Sequence, residues 1–272
     1  MPFLKREFRT RIYYEVHGEP EGTPLLLTHG YSSTSGMWQG QIEPFTKAGY
    51  KIIIWDMRGH GRSSYPDDQN AYSEALTVAD MAAILDHVCG AGTIAIVGGL
   101  SLGGYMSQAF YRDHSQRVEA LLIIDTGPGF KSDKARDDWN KYANETGDRF
   151  DREGLKQLEG LSPERSKVKH RNAEGLAMAA RGMLAQRDNS IINALPNIKV
   201  PSLVVVGADD KGFLAASDYM EKKIPDCLKI VIPDAGHAAN MDQPQEFNEA
   251  VLNFLETVKA KGRGGYNARP KL

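Results

Sequence analysis

The chain has 272 residues, of which 41% are hydrophobic, and its formal net charge is −2. A chain of about 300 residues buries roughly 75% of its unfolded surface, so this length allows a large core. The pI of about 6.4 does not favour a nucleic-acid-binding protein, which usually carries a basic patch. There is no apolar run of signal-peptide length at the start and no stretch of about 18 apolar residues elsewhere, so we expect a cytoplasmic protein with no membrane partner.

Apolar runs alternate with amphipathic segments along most of the chain. The alternation of residues 7–20 predicts an antiparallel hairpin at a sheet edge. Runs rich in Ile, Leu and Val follow at 24–30, 51–61, 93–99, 118–127, 202–210 and 228–236. Runs of this kind are typical of strands buried on both faces of a parallel sheet. Helical patterns occupy 75–92, 102–114 and 244–260. The alternation predicts an α/β fold, with one mostly parallel sheet flanked by helices.

One long segment, residues 130–197, interrupts this alternation and is called the insertion below. Its sequence is charged and helical and contains no strand-like run. Because plain loops of this length are uncommon, we interpret it as a helical cap over one end of the sheet. We therefore predict a core made of residues 1–129 and 198–261, a cap at 130–197, and a flexible tail at 262–272.

A Gly-x-Ser-x-Gly pattern places Ser101 between Gly99 and Gly103. The pattern alone is weak and also fits a plain glycine-rich turn. Here it follows the apolar run 93–99 and opens the helical pattern 102–114, which is the strand–turn–helix context of a nucleophile elbow. A serine hydroxyl needs a base within hydrogen-bond reach, and that base needs an acid to hold it.

Three of the seven histidines follow Ser101 and are candidates for the base, because the base follows the nucleophile in chains with this elbow. His114 lies on the helix that leaves the elbow. His170 lies in the charged insertion, where we expect a solvated surface side chain. His237 follows the last apolar run, at the carboxyl end of the predicted sheet, where such sheets bind ligands. We therefore predict His237 as the base.

Three aspartates are candidates for the acid. Asp209 and Asp210 end the run 202–210, and Asp125 follows an earlier apolar run. Each could equally form a turn or cap a helix, so these positions alone leave the choice open.

Four signatures in chain order resemble the α/β-hydrolase family over roughly residues 10–260. They are His29-Gly30-Tyr31 with Trp38, residues 56–63, the elbow at Ser101, and residues 207–210 with 235–237. The set is similar to the group that contains carboxylesterases, cofactor-free haloperoxidases (perhydrolases) and 3-oxoadipate enol-lactonases.

The resemblance implies a role for several further residues. It places the acid three residues after the glycine that ends its strand, at Asp210. It also implies an oxyanion hole formed by the backbone N–H groups of Tyr31 and Leu102, with His29 as an orienting residue. Ser101 argues against haloalkane dehalogenases and epoxide hydrolases, which carry Asp at the elbow.

These residues predict a serine hydrolase that cleaves carboxylic esters of small to medium apolar substrates through an acyl-enzyme. Enol-lactonase, perhydrolase, thioesterase and carbon–carbon hydrolase chemistry stay open, and a ligand-binding receptor on the same fold is the non-enzyme alternative. We expect no metal or organic cofactor, since the chain has no HExxH, paired CxxC or phosphate-binding GxGxxG pattern. The expected partner is a small-molecule ester or lactone, and the oligomeric state stays open.

We expect the substrate pocket between the sheet and the insertion. The apolar side chains that could line it, each of which could equally be core, are Met37, Trp38, Phe130, Trp139, Met183 and Phe213.

Overall fold

A computed structural model describes residues 2–261 of the chain, and the predicted flexible tail at 262–272 lies outside this range. The eight strands are β1 Phe3–Lys5, β2 Arg11–His17, β3 Thr23–Thr28, β4 Tyr50–Trp55, β5 Ala95–Leu100, β6 Val118–Ile124, β7 Ser202–Gly207 and β8 Cys227–Ile232. They form one sheet in the order β1-β2-β4-β3-β5-β6-β7-β8. Strand β2 is antiparallel to β1 and β4, and all other pairs are parallel. The predicted mostly parallel α/β sheet is therefore confirmed.

The helices are α1 Gln39–Lys47, α2 Glu74–Cys89, α3 Leu102–His114, α4 Asp133–Glu153, α5 Pro163–Ser166, α6 Ala173–Ala179, α7 Ser190–Ala194, α8 Leu214–Lys223, α9 Ala239–Asp242 and α10 Pro244–Lys261. The patterns at 75–92, 102–114 and 244–260 correspond to α2, α3 and α10. The sequence analysis did not identify α1 or α8. No helix within residues 2–261 has the length and apolar character needed to span a bilayer.

Apolar layers cover both faces of the sheet because successive strand residues point to opposite sides. Leu26 and Val97 belong to the layer that contains α2 and α3, whereas Leu25 and Ile52 belong to the layer that contains α1 and α10. Both layers are continuous clusters of buried side chains, so the central strands are fixed between helices on either side.

The insertion lies between β6 and β7 and contains α4 to α7. Its buried side chains, including Phe150 and Leu176, belong to the same apolar cluster as Leu26 and Val97 of the sheet. The Tyr31 hydroxyl, just after β3, donates a hydrogen bond to the Leu176 carbonyl at 2.8 Å. The insertion thus packs directly on the layer that carries α3, next to the carboxyl ends of the strands.

Candidate active site

Ser101 occupies the turn between β5 and α3 with φ +54° and ψ −119°. Few residues other than glycine adopt such a backbone, which costs on the order of 1–3 kcal/mol and persists only where its surroundings enforce it. The Ser101 N–H donates to the Ile124 carbonyl at 2.9 Å, and the Ser101 carbonyl accepts from Thr126 Oγ1 at 2.7 Å. Hydrogen bonds to β6 and to the residues after it therefore hold the turn.

Glycines make this turn sterically possible. A Cβ atom at Gly103 would lie 2.1 Å from the Thr28 carbonyl oxygen, and one at Gly99 would lie 2.4 Å from the Gly103 carbonyl carbon. Both distances are far inside van der Waals contact, so the first turn of α3 approaches the ends of β3 and β5 more closely than any side chain would permit.

His237 follows β8 and forms a hydrogen-bonded pair with Asp210, which follows β7. The distance from His237 Nδ1 to Asp210 Oδ2 is 2.7 Å. The Phe213 ring stacks on the imidazole, with centroids 5.1 Å apart. Burial opposes the charge on His237, but the hydrogen bond and negative charge of Asp210 outweigh it and raise the pKa of His237. The neighbouring Asp209 is exposed and lies 3.4 Å from Lys211 Nζ.

Asp125, the alternative acid, is fully buried and contacts backbone rather than the imidazole. Its Oδ1 accepts the Gly207 N–H at 2.8 Å, and its Oδ2 accepts the Ala239 N–H at 3.2 Å. Burial raises the pKa of Asp125 to about 7, against the opposing effect of these two N–H groups. Asp125 therefore joins the end of β7 to the start of α9, and so fixes the two loops that carry Asp210 and His237.

Three histidines join the loop after β3 to the loop after β4 and to the insertion. His29 Nε2 accepts the Met57 N–H at 3.0 Å, and His60 Nε2 accepts the Ser32 N–H at 3.1 Å. His170 Nε2 lies 3.1 Å from the Ser32 carbonyl, and its Nδ1 accepts the Gly61 N–H at 3.2 Å. His170 is half-buried, so the expectation of a solvated surface side chain is wrong. The contact of the insertion with these two loops through His170 was not predicted from its charged sequence.

The two residues whose backbone N–H groups are expected to form the oxyanion hole lie near Ser101: Leu102 follows it directly, and Tyr31 lines the same cavity. Tyr31 follows Gly30 at the end of β3, and Leu102 is the first residue of α3. Neither N–H group donates to an acceptor within residues 2–261. A Cβ built at Gly30 would lie 3.4 Å from Ser101 Cβ, so the loop after β3 lies beside the serine.

Two adjoining cavities open beside Ser101. One, of about 200 Å³, is the more polar of the two and is called the polar cavity below; it also contacts Tyr31, Glu164, Arg165 and His237. The other, of about 130 Å³, is mainly apolar; the side chains that line it include Leu102, Tyr105, Phe130, Leu184, Gln186 and Ala216. Trp139, Leu184 and Phe213 contact both cavities.

Three of the six side chains predicted for the pocket do line these cavities, and three do not. Phe130, Trp139 and Phe213 do, and the Trp139 indole is fixed by a 2.8 Å hydrogen bond to the Leu184 carbonyl. The side chains that are instead packed in the core are Met37, Trp38 and Met183. Met37 and Trp38 lie in the layer that contains α1 and α10, and Met183 points from a π-helical turn into the opposite layer.

The sequence analysis missed Glu164 and Arg165, which reach the site from the short helix α5. Helix α5 has only four residues, and its charged sequence carries no apolar periodicity that would have revealed its buried position. Within residues 2–261 no cluster of three or more His, Cys, Asp or Glu side chains has the arrangement of a metal site.

Comparison with known proteins supports an α/β-hydrolase fold for this chain. A family described by its alpha/beta hydrolase fold matches residues 23–193. The chain is 25% identical over 271 residues to 3-oxoadipate enol-lactonase 1 of Acinetobacter baylyi, an alignment that covers 90% of this chain and 93% of that protein. A thermophilic esterase from Thermogutta terrifontis, solved with malate bound, superposes with a TM-score of 0.77 at 29% identity, covering 92% of this chain and 94% of the esterase. A bromoperoxidase from Bacillus anthracis superposes with a TM-score of 0.71 at 22% identity, covering 91% and 96%.

Proposed function

Because the chain belongs to the α/β-hydrolase family, whose family model matches residues 23–193, we propose a function within that family. The proposed function is that of a serine hydrolase that cleaves carboxylic esters. The observation that carries the proposal is that His237, hydrogen-bonded to Asp210, lines the same cavity as Ser101 in its strained turn. A nucleophile, a base and an acid that holds the base are the three groups that acyl transfer to serine requires.

In the proposed reaction, Ser101 Oγ attacks the ester carbonyl carbon while His237 takes the hydroxyl proton. Asp210 keeps the Nδ1 proton of His237 directed toward itself, so that Nε2 is free to act as the base. The N–H groups of Tyr31 and Leu102 stabilise the negative charge that develops on the carbonyl oxygen. His237 then protonates the leaving alcohol, and a water molecule activated by the same histidine hydrolyses the acyl-enzyme.

The apolar cavity indicates the size of the acyl group. Its volume of about 130 Å³ is close to the roughly 150 Å³ of an engineered apolar cavity that binds benzene. We therefore expect acyl groups about as large as a benzoyl or short alkanoyl group to fit best. The names of the related esterase and enol-lactonase are consistent with ester cleavage, since a lactone is a cyclic ester.

The test is hydrolysis of p-nitrophenyl butyrate by the wild-type protein and by Ser101→Ala. Loss of a triad nucleophile typically lowers kcat by about 10⁴ to 10⁶, so we expect almost no turnover. Ser166→Ala, an exposed serine of the insertion, is the matched control and should keep full activity. A correctly folded Ser101→Ala protein with more than about a tenth of the wild-type rate would be incompatible with the proposal, because triad losses are so much larger.

A further inference from the structure

Glu164 is a buried carboxylate that takes no direct part in the proposed reaction, although its negative charge adds to the raised pKa of His237. It is only 3% exposed, and it reaches the polar cavity from α5 of the insertion. The Ser162 hydroxyl donates to its Oε1, whereas its Oε2 accepts no hydrogen bond from residues 2–261. A buried carboxylate without a full set of donors is costly, so an unpaired oxygen on a side chain that lines a cavity indicates a place for a donor from a ligand.

Arg165 lines the same cavity from the next position of α5. Its Nε donates to Ser32 Oγ at 2.8 Å, which holds the guanidinium beside the loop after β3. Its two terminal amino groups donate to no described residue within 2–261. A carboxylate acceptor and guanidinium donors, of opposite charge, therefore line the same cavity.

The position of His237 determines which part of an ester enters this cavity. His237 lines the polar cavity but not the apolar one. When the C–O bond breaks, the acyl group stays on Ser101 Oγ, and the alcohol oxygen takes its proton from His237. A general acid must lie within hydrogen-bond reach of the atom that it protonates, so the leaving alcohol lies in the polar cavity.

From these observations we propose that Glu164 and Arg165 select esters whose leaving alcohol carries a further hydroxyl group. This inference rests on the proposed function. A neutral hydroxyl can donate to Glu164 and accept from Arg165. An ammonium group would meet the positive charge of Arg165, and a carboxylate would meet the negative charge of Glu164, so neither charged group satisfies both side chains. An alkyl group would leave both side chains without partners.

The experiment compares four butyrate esters that share one acyl group: propyl, 2-hydroxyethyl, carboxymethyl and the choline ester. Because the acyl-enzyme is the same, differences in kcat/KM report the acylation step. Each value is divided by the rate constant for alkaline hydrolysis of the same ester, which removes differences in leaving-group reactivity. We expect the wild-type protein to prefer the 2-hydroxyethyl ester over the propyl ester by about tenfold or more, since sites built for a hydroxyl strongly reject analogues that lack it.

Two substitutions at Glu164 test its role. Glu164→Leu removes the acceptor and should abolish the preference, and Glu164→Gln keeps the shape but should weaken the preference severalfold. Ratios of kcat/KM within one variant do not depend on the fraction of folded protein, so partial misfolding does not obscure the result. Glu159→Leu, an exposed glutamate of the insertion that lines neither cavity, is the matched control and should keep the wild-type ratio.

Three outcomes would overturn the inference. Equal values for the 2-hydroxyethyl and propyl esters, with Ser101-dependent hydrolysis intact, would refute the selection and leave the proposed function standing. A preference for the carboxymethyl ester that disappears in Arg165→Met would show that the cavity binds carboxylates instead. A wild-type protein that cleaves neither these esters nor p-nitrophenyl butyrate would refute the proposed function, and this inference with it.

Discussion

Acidification should destabilise the protein through His170, which hydrogen-bonds the insertion to the loops after β3 and β4. Burial lowers the pKa of this histidine to about 4, and the nearby His29 adds to that effect, while the Ser32 carbonyl and Asp56 oppose it. The ring is neutral in the folded state because Nδ1 must accept the Gly61 N–H. The unfolded chain takes up a proton near the ordinary histidine pKa of about 6.5.

The sign and size of the effect follow from these two pKa values. Since the unfolded state binds the proton more tightly, the contribution of His170 to stability is fully present above about pH 6.5 and is lost as the pH falls toward 4. Between pH 7.5 and 4.5 the loss in the free energy of unfolding amounts to roughly 2.5 kcal/mol. That is a large part of the 5–15 kcal/mol by which proteins are ordinarily stable (about a sixth to a half).

The assay is urea denaturation of the wild-type protein and of His170→Gln at several pH values from 7.5 to 4.5. Glutamine does not titrate, so the stability advantage of the wild-type protein over the variant should shrink by about 2.5 kcal/mol across this range. His87→Gln, which replaces an exposed histidine of α2, is the control and should follow the wild-type curve. If His170→Gln instead loses stability in parallel with the wild-type protein, the ring is not held neutral by these contacts.

Two further predictions compare residues that the structure separates. Asp210→Asn should lower kcat by roughly 10⁴, because the histidine loses the acceptor that orients it. Asp125→Asn should mainly lower the free energy of unfolding, by about 1–3 kcal/mol. An inactive but stable Asp125→Asn protein together with an active Asp210→Asn protein would reverse the assignment of the acid. Trp139→Ala should change the discrimination between p-nitrophenyl esters of different acyl-chain length, by about 1–3 kcal/mol in the free energy that corresponds to the kcat/KM ratios. Met183→Ala should lower the melting temperature and leave this chain-length preference unchanged. An unchanged profile in Trp139→Ala would mean that the acyl group binds elsewhere.

The sequence could predict the parts of the candidate site that follow regular strands. Ser101, Asp210 and His237 follow strands whose apolar runs are unmistakable, and parallel strands bring their carboxyl ends to one edge of the sheet. The glycines at 99 and 103 were identified by their spacing, and the close approach that requires them became visible only with the neighbouring strand β3 in place.

The parts that were missed depend on tertiary packing. Glu164 and His170 lie in short, charged stretches of the insertion, and only its folding over the sheet brings Glu164 to the cavity and His170 to the Ser32 carbonyl. Met37 and Trp38 have the apolar character of pocket residues, but a sequence does not distinguish an apolar cavity wall from an apolar core. The sequence also could not show the role of Asp125, because its backbone partners come from β7 and α9, far along the chain.

The single apolar cluster that joins the insertion to the sheet has a consequence for exchanging parts between proteins. Phe150 and Leu176 complete the covering of the layer that contains Leu26 and Val97. A chimera that replaces residues 130–197 with the corresponding segment of a relative would therefore need matching apolar shapes on both sides of the junction. The side chains that face the cavities form a smaller set that can be exchanged one at a time. A change of substrate selectivity is therefore better sought by single replacements at those positions than by grafting whole segments.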